Sequence, residues 1–303
     1  MLQLVAGAAA LATTVLVGLI IWKVIDGARL SLSKYGLAFV TRIAWNPSVH
    51  ELYGAASFLF GTAVTSFSAL LLAMPLAIGI ALFLTELAPR PLQAPVTALV
   101  ETLAAIPSVV IGLWGIIVLG PALRDHVEPT LHSVLGFIPL FGPKGAGASV
   151  FTAIVVLTIM ILPIVASISR ELFLGVPHEL KEGALALGTT RWEMVRGVMF
   201  PYARGGIAAA LILGFGRAIG EAIAVTQVIG GGVWIHWNLF DTGDTLGAKI
   251  AASYQGASTN LQASSLIYLG LILLVFSLVV NLAAQWVVRR SARKHGIVRG
   301  GRA

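Results

Sequence analysis

EGALALGTTRWEMVRGVMFP, residues 182–201, stands between two long apolar stretches, VFTAIVVLTIMILPIVASIS before it and GGIAAALILGFG after it. Connections between helices are mostly short, and a longer ordered one usually has a function. Its Ala, Leu, Glu, Arg and Met favour helix, with Gly188 and Pro201 as punctuation. The stretch reads as a small folded docking element. The apolar runs on either side read as membrane spans.

Composition agrees with that reading. Of the residues, 57% are apolar and 11% charged, where a soluble domain carries about 25% charged residues. Mean hydropathy is +0.92. Such a chain lacks the polar surface to cover a globule in water, so its solvent is a bilayer. The formal charge of +7 is clustered, so it is no sign of nucleic-acid binding. Arg289, Arg290, Arg293, Lys294, Arg299 and Arg302 crowd the end of the chain, directly after an apolar run. Positive charge accumulates on cytoplasmic flanks, which predicts a cytoplasmic C-terminus. A second reading of that tail is contact with anionic headgroups. Cysteine is absent, which excludes disulfides, thiolate metal sites and cysteine nucleophiles.

A span needs about 20 mostly apolar residues, and six segments qualify: 4–25, 58–87, 95–119, 150–173, 206–229 and 264–288. They are continuous rather than alternating, which predicts helices and not a barrel. The expected fold class is all-α integral membrane with six transmembrane helices. The first run has no basic region ahead of it and no cleavage site, so it reads as a retained span; the truncated end of a longer N-terminus is the other reading. With the tail inside, the 182–201 island is cytoplasmic, as is the turn at 86–93. Lys23, Arg29, Lys34 and Arg42 argue the other way, but the C-terminal half holds the denser clusters. Three divisions follow: 1–57, the first helix and an outer segment; 58–290, the core, with a cytoplasmic loop at 177–204; and 291–303, a basic tail.

An ionisable side chain in mid-membrane costs roughly 2.5–3.5 kcal/mol or more, so it marks function by default. Arg217 and Glu221, in GFGRAIGEAIAV, are four residues apart and predict one helical face. From an entry near Gly205, Arg217 lies roughly 18 Å deep. A guanidinium suits phosphate, sulfate or carboxylate, with Glu221 neutralising Arg217 when the site is empty. The competing reading is an ion pair that merely locks two helices, but such pairs add little net stability. Glu101, in VETLAAIPSVVIGLWG, is a third candidate for the pathway. Gly214, Gly216 and Gly220 offer a small face for close helix approach. Pro75, Pro107 and Pro163 fall inside other spans, as kinks beside a pathway or as tolerated ones. No nucleotide-binding loop, zinc-protease or serine-hydrolase motif occurs. His178 and His295 read as surface histidines, and no metal site is expected.

The polar island also carries a resemblance. Glu182, Ala184, Gly188, Val198, Phe200 and Pro201 resemble the E-A-A loop of ATP-binding-cassette importer permeases: E-A-A, three residues, G, nine residues, I, one residue, L-P. Gly183, Val198 and Phe200 depart from the pattern with its spacing intact. WNP at 45–47, GTAVTSFSALLLAMPLAIGIALFLTELAP at 61–89, ETLAAIPSVVIGLWG at 101–115 and GRAIGEAIAVTQVIG at 216–230 are similar to the PstC-type phosphate permeases of that family. Ala222 and the Gly231–Gly232 pair depart from it.

The resemblance implies a type I importer permease fold in the bacterial cytoplasmic (inner) membrane. It implies that Arg217 and Glu221 serve phosphate transport. Glu182, Ala184, Gly188, Arg191 and Pro201 then couple the chain to a separate ATPase. The implied partners are a second PstA-like permease subunit, a PstB-like ATPase dimer and a PstS-like external phosphate-binding protein. The chain itself is expected to be no enzyme and to hold no cofactor. The alternatives are a permease for sulfate or molybdate, and an ATP-independent secondary transporter or channel.

Overall fold

A computed structural model describes residues 1–47, 51–233 and 235–294. Trp234 and the tail from His295 onward, with Arg299 and Arg302, lie outside the described residues. The long helices are α1 (Leu2–Tyr35), α2 (Ala56–Leu87), α4 (Ser108–Leu135), α5 (Val150–Leu174), α7 (Arg191–Gly220) and α10 (Asn260–Lys294). All six are long and apolar enough to cross a membrane. Between them stand α3 (Arg90–Ala105), α6 (His178–Ala186), α8 (Ile223–Val228) and α9 (Leu246–Ser253).

The centre is the pair α2 and α5. Ala69, Ala73, Ala77 and Ala81 repeat every four residues along α2 and are fully buried. Without large side chains on that row, α5 approaches closely, which is how helices associate where no hydrophobic drive exists between them. Ala153, Val156, Leu157, Met160 and Ile161 of α5 complete the core with Ala218 of α7 and Val225 of α8. Hydroxyls within the spans stay satisfied locally: Thr62 Oγ1 donates to the Phe58 carbonyl and Thr158 Oγ1 to the Ile154 carbonyl, each at 2.8 Å.

Only the last third of α1 packs inward, against α10. Gly27 lies against Ile267, where an added Cβ would come within 2.8 Å of its Cδ1. The Ser31 N–H donates to Ser264 Oγ at 3.0 Å, and Ser265 Oγ lies 3.1 Å from Ser31 Oγ. Beyond α1 the chain folds into an aromatic cap. Phe39 stacks on Tyr268 at 4.5 Å, and Trp45 meets Tyr53 and Phe58 edge-on at 4.9 and 5.3 Å. The WNP tryptophan therefore closes the end of the bundle.

Two of the expected spans are divided. Residues 95–119 are not one helix: α3 ends at Ala105, Ile106 turns to ψ 127° ahead of Pro107, and α4 starts at Ser108. A proline disfavours the helical region for the residue before it. None of α3 is buried, and the helix long and apolar enough to cross runs from Ser108 to Leu135. Residues 206–229 are not one helix either, because α7 stops at Gly220 and Glu221 adopts ψ 119°.

Candidate functional site: a polar turn and a broken helix

The polar island folds as α6, a turn and the start of α7. Gly188 takes φ +85°, a conformation that strains residues with a Cβ. Thr190 and Glu193 then form a capping box: the Glu193 N–H donates to Thr190 Oγ1 at 3.3 Å, and the Thr190 N–H donates to Glu193 Oε2 at 2.7 Å. Pro201 does not end the element. It lies inside α7, just after a π-helical turn at Val195–Met199. Proline has no N–H for the preceding turn, and the widened turn sits where the helical ladder is interrupted. From Arg191 to Arg217 the helix is continuous, a rod of about 39 Å at 1.5 Å per residue.

The inner face of the turn is anchored. Ala184 packs on a cluster of Phe173, Val176, Met194, Val195 and Met199. Lys181 Nζ donates to Glu86 Oε1 at 2.7 Å, with both side chains mostly buried. That bond puts the end of α2 and the turn at the same end of the molecule. The outer face is free: Glu182 and Arg191 are exposed, and among the described residues neither forms an ion pair. Beside them Leu187 is 86% and Trp192 64% exposed. These two apolar groups were not singled out from the sequence, although both stand within the quoted island.

The second site is the break after α7. Glu221 accepts the Ala224 N–H at 3.2 Å at the start of α8. Its side chain is thus committed to the break rather than to Arg217, and among the described residues the two form no ion pair. Glu221 caps the end of α7, and its ψ of 119° turns the chain that follows away from the helix axis. Non-helical backbone at membrane depth is tolerated only where it is buried in protein or lines a water-filled cavity, as in the broken helices of transporters.

Arg217 is exposed on this chain and opens onto a groove of about 750 Å³ between α7 and α10, shared with Ile164, Leu213, Gly216, Asn281 and Gln285. An unpaired guanidinium facing hydrocarbon is too costly to persist, so this groove faces water or protein. Of the expected glycine face, Gly214 lies against Val165 and Gly216 beside Asn281, while nothing approaches Gly220 within 4 Å. Glu101 sits elsewhere, in a cavity of about 170 Å³ with Thr97, Ser167, Arg170 and Glu171. That cavity shares no lining residue with the Arg217 groove.

The segment between α8 and α10 buries one further charge. Asp244 is 8% exposed, and burial pushes its carboxyl up to about 6. The Lys249 ammonium at 3.9 Å and the Thr245 N–H at 2.9 Å act in the lowering direction. Lys249 also lies over the Trp45 and Phe58 rings, at 5.5 and 5.6 Å.

Residues 73–293 match the family described as the inner membrane component of binding-protein-dependent transport systems. The chain belongs to that family. This permease component is 42% identical to the phosphate transport system permease protein PstC of Mesorhizobium japonicum, over 95% of its own length and 89% of the relative's. It is 41% identical to the PstC of Xylella fastidiosa, over 89% and 84% of the two chains. With PstC 2 of Mycobacterium bovis it shares 44% over 77% and 73%. Among solved structures, a bacterial alginate transporter bound to its alginate-loaded periplasmic protein aligns with TM-score 0.63 at 17% identity, covering 94% of each chain. The inward-facing MetNI methionine transporter aligns with TM-score 0.55 at 20% identity, over 77% of this chain and 94% of that one. Those likenesses place the fold among importer permeases. The permease component is a multi-pass membrane protein with a transport role rather than a catalytic one.

Proposed function

We propose that this chain is the transmembrane permease subunit of an ATP-driven inorganic phosphate importer. The observation that carries the reading is an Arg217 with no ion-pair partner among the described residues, in the last turn of α7 before a helix break, in a chain whose relatives are named phosphate transport permeases. The guanidinium offers a planar fork of donors to an oxyanion. The break lets backbone and side chains face the pathway instead of lipid.

ATP hydrolysis belongs to a separate PstB-like dimer that seats the 182–201 turn. Glu182 and Arg191 bond its surface, Leu187 and Trp192 fill its groove, and Gly188 makes the turn. Because α7 runs unbroken from that turn to Arg217, closure of the ATPase moves the anion site directly. A PstA-like second permease subunit covers the open face of the Arg217 groove, and a PstS-like protein delivers phosphate from outside. The location is the bacterial inner membrane, with the C-terminus in the cytoplasm.

The test is uptake of labelled phosphate by the four-component complex in proteoliposomes, with ATP inside. The reading expects ATP-dependent uptake that excess sulfate or molybdate leaves standing. Equal competition by sulfate or molybdate makes the chain a permease for another oxyanion. Uptake without ATP makes it a secondary transporter or channel.

A further inference from the structure

α10 is apolar through LGLILLVFSLVVNLAAQWVV except for Ser277, Asn281 and Gln285. These lie four residues apart, so they form one stripe along the helix. Their placement is not arbitrary, because Asn281 and Gln285 line the groove onto which Arg217 opens. Asn281 sits directly across from Gly216: a Cβ at Gly216 would come within 3.8 Å of both its amide atoms. Asn281 Nδ2 donates only a long bond, 3.3 Å, to Ser277 Oγ. Among the described residues the Gln285 amide has no partner within the chain.

Two amides in an apolar helix, both lining one groove, need a reason. Polar groups without partners in hydrocarbon are costly, and helix packing does not account for Gln285, which is exposed. A purely structural stripe would bond across to α7, and this one bonds only along its own helix. What the groove presents is one fixed positive charge and two neutral amides, each with two N–H donors. That set matches a tetrahedral oxyanion. The guanidinium supplies the charge and the amides supply donors to the remaining oxygens. Their carbonyls also accept the P–OH of protonated phosphate. Being neutral, they add affinity without trapping the anion as a second arginine would.

We propose that Asn281 and Gln285 complete the Arg217 anion site. Spaced along α10 by about 6 Å, they pass a partly dehydrated phosphate from one end of the groove to the other. The proposal rests on the reading of Arg217 as the phosphate-contacting residue.

The test uses the whole complex in proteoliposomes and measures phosphate moved per ATP hydrolysed for Asn281→Leu, Gln285→Leu, Asn281→Gln, Gln285→Asn and Arg217→Gln. The transport ratio is the informative quantity, because it separates failed anion transfer from lost ATP hydrolysis. Loss of a hydrogen bond to a charged ligand predicts about a tenfold drop in that ratio for each leucine variant. Complex yield and ATP hydrolysis should stay at wild-type level, and the two amide-retaining variants should stay within about twofold of wild type. A merely structural role lowers yield and hydrolysis instead, and leaves the ratio alone. Gln285 is exposed where Asn281 is half-buried, so Gln285→Leu decides the matter even where Asn281→Leu fails to assemble. If the leucine variants keep the wild-type ratio while Arg217→Gln abolishes uptake, the amide proposal is wrong and the Arg217 reading stands. Wild-type transport by Arg217→Gln overturns both.

Discussion

Arg217 lies in the last turn of α7 and Glu221 caps its end, and their chemistry divides accordingly. Arg217 is left with its full donor set directed at a groove. Glu221 holds the first turn of α8 through the Ala224 N–H. Two predictions belong at this scale. Arg217→Lys keeps the charge and loses the planar fork; phosphate uptake should fall at least about tenfold while ATP hydrolysis by the complex persists. Glu221→Gln keeps an acceptor for Ala224 but removes the charge that repels a fully ionised anion. It should transport phosphate and lose part of its rejection of sulfate, measured as sulfate inhibition of phosphate uptake. Unchanged sulfate rejection would remove Glu221 from selectivity. The identity of both residues was legible as charge in an apolar run. The break after them was not, because only Gly220 marks it and the flanking Ala and Ile suit a continuing helix.

Among the elements, the turn between α6 and α7 is the one the sequence describes best. A glycine at a position needing positive φ, a Thr-x-x-Glu capping box and alternating charge all point to the same small structure. Gly188→Ala puts a Cβ on φ +85°, at a cost of about 1 kcal/mol. It should lower ATP-driven transport more than it lowers the amount of folded permease. Leu187→Asp places a charge in the apolar docking face and should reduce co-purification of the ATPase subunit about tenfold or more; retention at wild-type level would show that this face is not the contact. The third span was misread for a physical reason. Residues 90–105 are apolar enough to resemble the start of a crossing, yet Gln93, Thr97 and Glu101 recur at helical spacing and mark an amphipathic helix. The Ile106–Pro107 pair then ends it. Pro201 shows the reverse. It looked like a terminator, but a π turn absorbs it and the helix continues.

For the whole molecule, six helices long and apolar enough to cross were readable from hydropathy, because lipid leaves the backbone few choices. The buried cap at the other end was not readable, since Trp45, Lys249 and Asp244 meet only in three dimensions. That cap has a pH signature. Asp244 has a folded value of about 6 against 3.8 unfolded, so the folded state binds the proton more tightly. Its contribution to stability is therefore greatest below pH 3.8 and declines as pH rises to about 6. Asp244→Asn should flatten the thermal stability of the detergent-solubilised protein across that window. A wild-type slope left unchanged in the variant would assign the titration to another group.

In the proposed importer, α7 is a rod joining the ATPase contact at one end to the anion contact at the other. The most direct measurement is simultaneous ATP hydrolysis and labelled phosphate uptake by the reconstituted complex carrying Arg217→Gln. The expected result is near wild-type hydrolysis, stimulated by the phosphate-loaded binding protein, with uptake reduced to background. Uptake at the wild-type rate, or uptake that continues when ATP is withheld, would contradict it.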